Sequence, residues 1–240
     1  MGQPYRSADR EELTFAPTAR EGFPGARHHV GVDSGRARAD MVRQLERFGI
    51  RDGRVLEAMT RVPREEFVAS ADRDVAYGDH ALAIDEGQTI SQPFVVARMT
   101  ELLAPEPEHK VLEVGTGSGY QAAVLAELVG EVVSIERHAA LADAARDRLE
   151  RLGYTNVRVI HADASLGYPR EAPYDRILIT AATPRIDPAF LTQLSVDGRI
   201  VAPIGDLDLQ ELVVRDARGR EERHGPVKFV PLRGQAGFRG

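Results

Sequence analysis

The sequence predicts an α/β fold: a mostly parallel, doubly wound sheet with helices on both faces. Three observations carry that expectation. Lys110 to Val114 is a short apolar run that ends in glycines and continues, from Gln121 to Val129, as an Ala/Leu-rich stretch with helical spacing, so it reads as strand, tight turn, helix. Strand-like and helix-like segments then alternate through Ile200, the pattern of parallel strands joined by crossover helices. Finally, two strand-like runs at 210–215 and 227–232 have no helix between them, only the polar run DARGREERHG, and read as a closing hairpin.

Residues 1–35, rich in Arg, Gly and Pro and without apolar periodicity, read as a flexible arm, and residues 36–240 as a single domain. From about Ala37, Met41, Val42, Leu45 and Phe48 share one helical face, and Gly49 can end that helix. Asp52 is placed to cap a second helix whose Val55, Leu56 and Met59 point inward. Pro63 suits the first turn of a third helix, Arg64 to Ala69. Arg43, Glu46, Arg54 and Arg64 read as solvated charges on outer faces. Beyond the glycines, Val132 to Ile135 is a strand ending in Glu136. Ala139 to Gly153 is a helix with Leu141, Ala145, Leu149 and Leu152 as its buried stripe, and Val157 to Ala162 is a strand ending at Asp163.

Composition narrows the function classes. The absence of cysteine excludes disulfides, thiolate chemistry and thiol-ligated zinc, and the seven histidines show no metal-ligand spacing, so no metal is expected. A net charge of −6 argues against nucleic acid as substrate, and the Arg/Glu run at 218–223 alternates in sign without aromatics. No apolar run approaches the roughly 18 residues of a membrane span, and no signal-peptide core is visible; the expectation is a cytoplasmic protein with no membrane partner.

Two segments carry the chemistry. Glycines at 115, 117 and 119, with Thr116 and Ser118 between them, let a ligand approach the backbone, and the helix start that follows offers free N–H groups. Glu136 stands nineteen positions after Gly117, where an acid at a strand end can accept both hydroxyls of a ribose. The spacing G-x-G-x-G departs from the dinucleotide fingerprint G-x-G-x-x-G, and the acid Glu113 before it would repel a pyrophosphate but suits a sulfonium with an amino group. A cationic, methyl-donating cofactor is therefore favoured. Asp163, at the next strand end, is a candidate for the adenine edge. Some two dozen residues upstream, Gln88 to Pro93 forms a polar loop able to meet a substrate beside the cofactor.

With these segments placed, the chain resembles the protein-L-isoaspartate O-methyltransferase family. The likeness lies in GQTISQP at 87–93, ARMTELL at 97–103, VLEVGTGSGYQAAVLA at 111–126, YDRILITAA at 174–182 and FVPLRG at 229–234, and runs from about Met41 to Phe238. The resemblance implies a class I, Rossmann-like methyltransferase: a seven-stranded sheet with a helical lead-in and a C-terminal hairpin that supplies one antiparallel strand. It implies S-adenosyl-L-methionine as cofactor and isoaspartyl proteins and peptides as partners. The α-carboxylate of an isoaspartyl residue would be methylated, and the ester would collapse to a succinimide as the first stage of repair. Ser91 would hold the substrate carboxylate as the catalytic residue, with Thr89, Ile90, Ala181 and Ala182 about the substrate. Glu113, Gly115, Thr116, Gly117, Ser118, Gly119, Glu136, Asp163, Ala164 and Gln210 would surround the cofactor. A monomer is the family's usual state.

Several positions depart from the family pattern. Ala81 and Ala83 stand where proline is usual and Asp85 where glycine is usual, which predicts a looser, more acidic loop with Asp85 taking the left-handed turn position. Ala164 replaces a glycine beside the acid, and Phe238 replaces a tryptophan. Two alternatives stay open at this point: an aspartate methyltransferase dedicated to one peptide, and a cofactor-binding relative without turnover.

Overall fold

The computed structural model describes residues 33–238; the arm read over 1–35 falls outside them except for its last three residues, and Ser34 already opens the first helix. Helix α1, Ser34–Arg47, is capped by Asp33, whose carboxylate accepts N–H bonds from Gly35 and Arg36. Met41 and Leu45 are buried as their spacing requires, whereas Phe48, expected on the same face, lies just past the helix end, half exposed, with its edge against Phe94. Helix α2, Gly53–Arg61, is capped by Asp52 as the sequence indicated and buries Val55, Ala58 and Met59. The third helix exists only as a 3₁₀ turn, Arg64–Phe67, after Pro63. Arg64 is not a surface charge: it is fully buried, because the tight turn directs its side chain inward.

Next comes a two-residue ribbon, β1 (Leu82–Ala83) paired antiparallel with β2 (Thr89–Ile90), followed by helix α3, Pro93–Leu103. The remaining elements are β3 (Lys110–Val114), α4 (Tyr120–Ala126), β4 (Glu131–Glu136), α5 (Ala139–Arg151), β5 (Val157–His161), β6 (Tyr174–Ile179), the single turn α6 (Pro188–Leu191), β7 (Leu194–Gly205), β8 (Gln210–Asp216) and β9 (Glu221–Val227). The alternation is less regular than expected: only a 3₁₀ turn, Pro169–Glu171, interrupts the path from β5 to β6.

The sheet has seven strands in the order β5-β4-β3-β6-β7-β8-β9. The first five are mutually parallel, and β8 alone runs against its neighbours. The hairpin is therefore present, but its second strand is 221–227, earlier than the 227–232 expected. The polar run read as its connection supplies most of that strand, and a bend at 217–220 makes the turn. Strand β9 lies at the sheet edge, where it needs no apolar alternation and hides from a pattern based on burial.

Two cores sandwich the sheet. Val111, Val132, Leu178 and Val201 face the layer formed by α1 to α5, while Leu112, Val114, Ile135 and Ile177 face Ile186 and Phe190 of the α6 region. Because β3 pairs with β4 on one side and β6 on the other, successive crossovers leave it in opposite directions, and a crevice opens at the carboxyl ends of these strands. No helix among the described residues is long and apolar enough to cross a membrane.

Leu112, fully buried in the middle of the sheet, tests this core. Leu112→Ala is expected to lower unfolding free energy by about 2–5 kcal/mol in urea titrations, while Val196→Ala, at a residue 84% exposed, should leave the midpoint almost unmoved.

Candidate active site

The crevice is an open cleft with an empty volume of ≈ 930 Å³, its solvent mouth included. Its floor is the turn from β3 to α4. Gly115, Gly117 and Gly119 all take left-handed backbone angles, with φ of 101°, 53° and 87°. At Gly115 a Cβ would stand 2.5 Å from the Thr180 hydroxyl, so no side chain fits there. The turn is anchored on β4 by N–H bonds from Gly115 and Thr116 to the Ile135 carbonyl. Thr180, at the end of β6, donates to the Gly115 carbonyl at 2.6 Å from the other side.

Glu136 completes this wall. It is only 5% exposed, and its two oxygens accept separately from Gly117 N–H and His138 N–H, each at 2.9 Å. A carboxylate has about four acceptor positions, so capacity remains for ligand hydroxyls on the cleft side. The opposite wall is the ribbon and the loop after it, from Gln88 through Ser91. Ile84 of the ribbon overhangs the turn, 3.6 Å from where a Gly117 Cβ would lie. The Asp85–Gln88 turn places the left-handed strain on Glu86 (φ 57°) and Gly87 (φ 66°), not on Asp85 as expected. The Glu86 carboxylate lies 3.5 Å from Nδ1 of His138, joining the ribbon tip to the Glu136 wall.

Of the residues singled out in the sequence, Thr89, Ile90, Ser91, Gly115, Thr116, Gly117, Ser118, Glu136, Ala164 and Ala181 line this one cleft. Five others support the walls from behind. Gly119 packs its Cα side on Ala145 and Leu149. Ala182 is buried and pairs through its backbone with Val230 and Leu232. Gln210 accepts from Phe229 N–H at 2.9 Å and donates to the Asp206 carbonyl, pinning the hairpin to the segment that leads into the cleft. Asp163 accepts from the N–H groups of Ser165 and Gln235. Burial alone would raise its pKa, but these donors outweigh it and hold the carboxylate below its usual range.

Glu113 is the fifth. It is fully buried and accepts from the Ser134 hydroxyl, which also bonds Thr116 at 2.5 Å, while its Oε1 has no partner among the described residues. Burial pushes its carboxyl up to about 8; the Ser134 bond pulls it down, and a still smaller upward push from Glu136 offsets part of that. The sequence suggests a carboxylate at this position; burial in the fold instead favours its protonated form.

Thr180, Tyr120, His138 and residues 230–233, none of them assigned to the site from the sequence, also line the cleft. Thr180 was within reach of the strand-end rule that selected Asp163. The 230–233 segment reaches the cleft beside Ala182, with which Val230 and Leu232 pair, and only its FVPLRG motif marks it in the sequence. Among the described residues no group of acidic, His or Cys side chains could hold a metal ion.

Residues 36–237 match the family model for protein-L-isoaspartate(D-aspartate) O-methyltransferase. The chain belongs to that family. A protein-L-isoaspartate O-methyltransferase of Methanopyrus kandleri is 52% identical over 212 residues, spanning 85% of this chain and 94% of the relative. One of Koribacter versatilis is 53% identical over 198 residues, spanning 81% and 89%. Among solved structures, a protein-L-isoaspartate O-methyltransferase superposes with a TM-score of 0.74 at 29% identity, covering 83% of this chain and 67% of that one. A Plasmodium falciparum member of the family, solved with S-adenosyl-L-homocysteine, gives 0.70 at 24% identity over 81% and 97%, a likeness of fold.

The Glu113 carboxyl yields a pH test. In the unfolded chain it titrates near its ordinary 4.5, and in the folded protein near 8. Between these values the folded state holds the extra proton, so the wild type loses stability as pH rises through the window and reaches its full deficit above it. The stability of Glu113→Gln relative to wild type is therefore expected to shift in the variant's favour from pH 4.5 to about 8 and then level off. Urea midpoints across that range measure it, and a flat difference would mean that Glu113 ionises normally.

Proposed function

We propose that this chain is an S-adenosyl-L-methionine-dependent protein carboxyl O-methyltransferase that methylates the free α-carboxylate of isoaspartyl residues in damaged proteins. The observation that carries the reading is that one cleft joins the glycine turn and Glu136 to the polar Gln88–Ser91 loop. Family membership at about half identity over most of the chain supports the same reaction.

The residues present fit the cofactor. The backbone of Gly115 to Ser118 offers a surface free of large side chains, and Glu136 is a fixed carboxylate with acceptor capacity to spare for ribose hydroxyls. Ala164 lines the adenine side, where Asp163 braces the backbone, and Gln210 holds the 230–233 wall from outside. When bound, S-adenosyl-L-methionine supplies a methyl group on a sulfonium and leaves as S-adenosyl-L-homocysteine.

The demands on the protein are then positional. An α-carboxyl with a reference pKa of about 3.5 is already ionised at neutral pH, so no general base is required. In this reading Ser91 donates a hydrogen bond to one oxygen of the substrate carboxylate, with Thr89, Ile90 and Ala181 walling the site and Ala182 backing it. The other oxygen is left free for in-line transfer, so the protein's part is to hold the substrate carboxylate in place. The resulting ester is attacked by the following backbone nitrogen. Methanol leaves, a succinimide forms, and its hydrolysis returns part of the material as normal aspartate. The proposal extends to a cytoplasmic monomer whose partner is the damaged polypeptide, with neither membrane nor nucleic acid involved.

The deciding measurement is methyl transfer from labelled S-adenosyl-L-methionine to two peptides identical except for L-isoaspartate or L-aspartate at one position. Turnover of the isoaspartyl peptide alone is expected; turnover of the aspartyl peptide alone, or of neither, would overturn the reading. In the same assay Ser91→Ala should lower kcat about 10- to 100-fold, the worth of one hydrogen bond to a charged group. Its affinity for S-adenosyl-L-homocysteine, read by calorimetry, should stay near that of the wild type.

A further inference from the structure

Among the described residues Arg64 is the largest side chain buried completely, and the mechanism above makes no use of it. Its guanidinium enters the interior from the 3₁₀ turn after Pro63 and touches three separate parts of the chain. Nε donates to the Ala76 carbonyl at 2.7 Å and Nη2 to the Ser91 carbonyl at 2.8 Å. The guanidinium carbon stands 4.7 Å from the centre of the Tyr120 ring, at the first residue of α4 after the glycine turn. No carboxylate among the described residues forms an ion pair with it; burial destabilises its charge, and Tyr120, then Asp79, offset that in part.

A buried cation held mainly by backbone carbonyls and a ring face is an expensive arrangement, since an apolar side chain of the same volume would fill the space at less cost. Stability therefore gives no reason for an arginine here. Its contacts do. One donor fixes the peptide plane of Ser91, and the same planar group stacks on Tyr120, which lines the cofactor side of the cleft. Asp79 grips the other side of the loop, accepting from Gln92 Nε2 at 3.0 Å and from Phe94 N–H at 2.8 Å. The segment Ser91 to Phe94 is thus held at the Ser91 carbonyl by a buried cation and at the Gln92 side chain and the Phe94 N–H by a carboxylate.

We propose that Arg64 is a positioning residue for methyl transfer, a rigid strut that sets the distance between the Ser91 loop and the glycine-turn wall. The inference rests on the role given to Ser91. Lysine cannot replace it, because a single ammonium cannot reach two carbonyls in a fork while stacking on a ring.

The test uses Arg64→Met, Arg64→Lys and Ser91→Ala, singly and combined, with the isoaspartyl peptide as substrate. Arg64→Met is expected to unfold at a urea midpoint no lower than wild type and to bind S-adenosyl-L-homocysteine normally. Its kcat should fall about 10- to 100-fold, the scale of an ångström misplacement. Arg64→Lys should fall between the two, and it carries the test if the methionine variant does not fold. Added to Ser91→Ala, Arg64→Met should cost less than about threefold more, because both act through one group. Wild-type kcat in a folded Arg64 variant, or full additivity with Ser91→Ala, overturns the proposal. Wild-type kcat in Ser91→Ala itself would instead strike the assignment of Ser91, a result distinct from either.

Discussion

Two backbone N–H groups, from Gly117 and His138, each occupy one oxygen of Glu136, and the shape of the cleft depends on that pair of bonds. They tie the turn after β3 to the end of β4, so the acid and the glycine loop are fixed relative to each other by the protein alone. The rest follows from this constraint. The loop can reach the carboxylate only with left-handed angles at three alternate residues, and it can lie close to β6 only because Gly115 has no side chain to meet Thr180. Charge is managed with equal economy. Glu136 accepts from two backbone donors at the cleft wall, while burial favours the protonated form of Glu113 on the neighbouring strand.

The cleft has two walls of different character. The Glu136 wall is built on central strands with full cores on both faces. The facing wall is a two-rung ribbon and a short loop, with few backbone bonds of its own, and segments of that kind open at low cost in free energy. Its order is borrowed from outside: Arg64 and Asp79 hold the Ser91 end, and Glu86 meets His138 at the tip. The alanines at 81 and 83 and the acid at 85 fall in this thin wall, so variation there alters the cover while leaving the floor intact.

What was legible in the sequence was local. The β3–turn–α4 unit, the Asp52 cap, the strand ending in Glu136 and the buried stripe of α5 are all encoded within a few residues of themselves, by periodicity, caps and glycines. What escaped was relational. Arg64 looks like a surface charge until Ala76, Ser91 and Tyr120 are brought around it. Residues 227–232 read as a hairpin strand until Val230 and Leu232 are found paired with Ala182, and Glu113 looks charged until its burial is known. In each case the deciding partner is remote in the chain, and no local pattern records it.

Strand β9 escaped for a further reason, and that reason has a use. Its residues Glu221, Glu222 and Arg223 alternate no apolar side chains, and Pro226 removes one backbone donor. A strand at an open sheet edge offers unpaired backbone groups to any other extended chain. Charges and a proline along that edge make it a poor template for such pairing. The polarity that disguised β9 as a loop is therefore also what lets the sheet remain open on that side without inviting edge-to-edge aggregation.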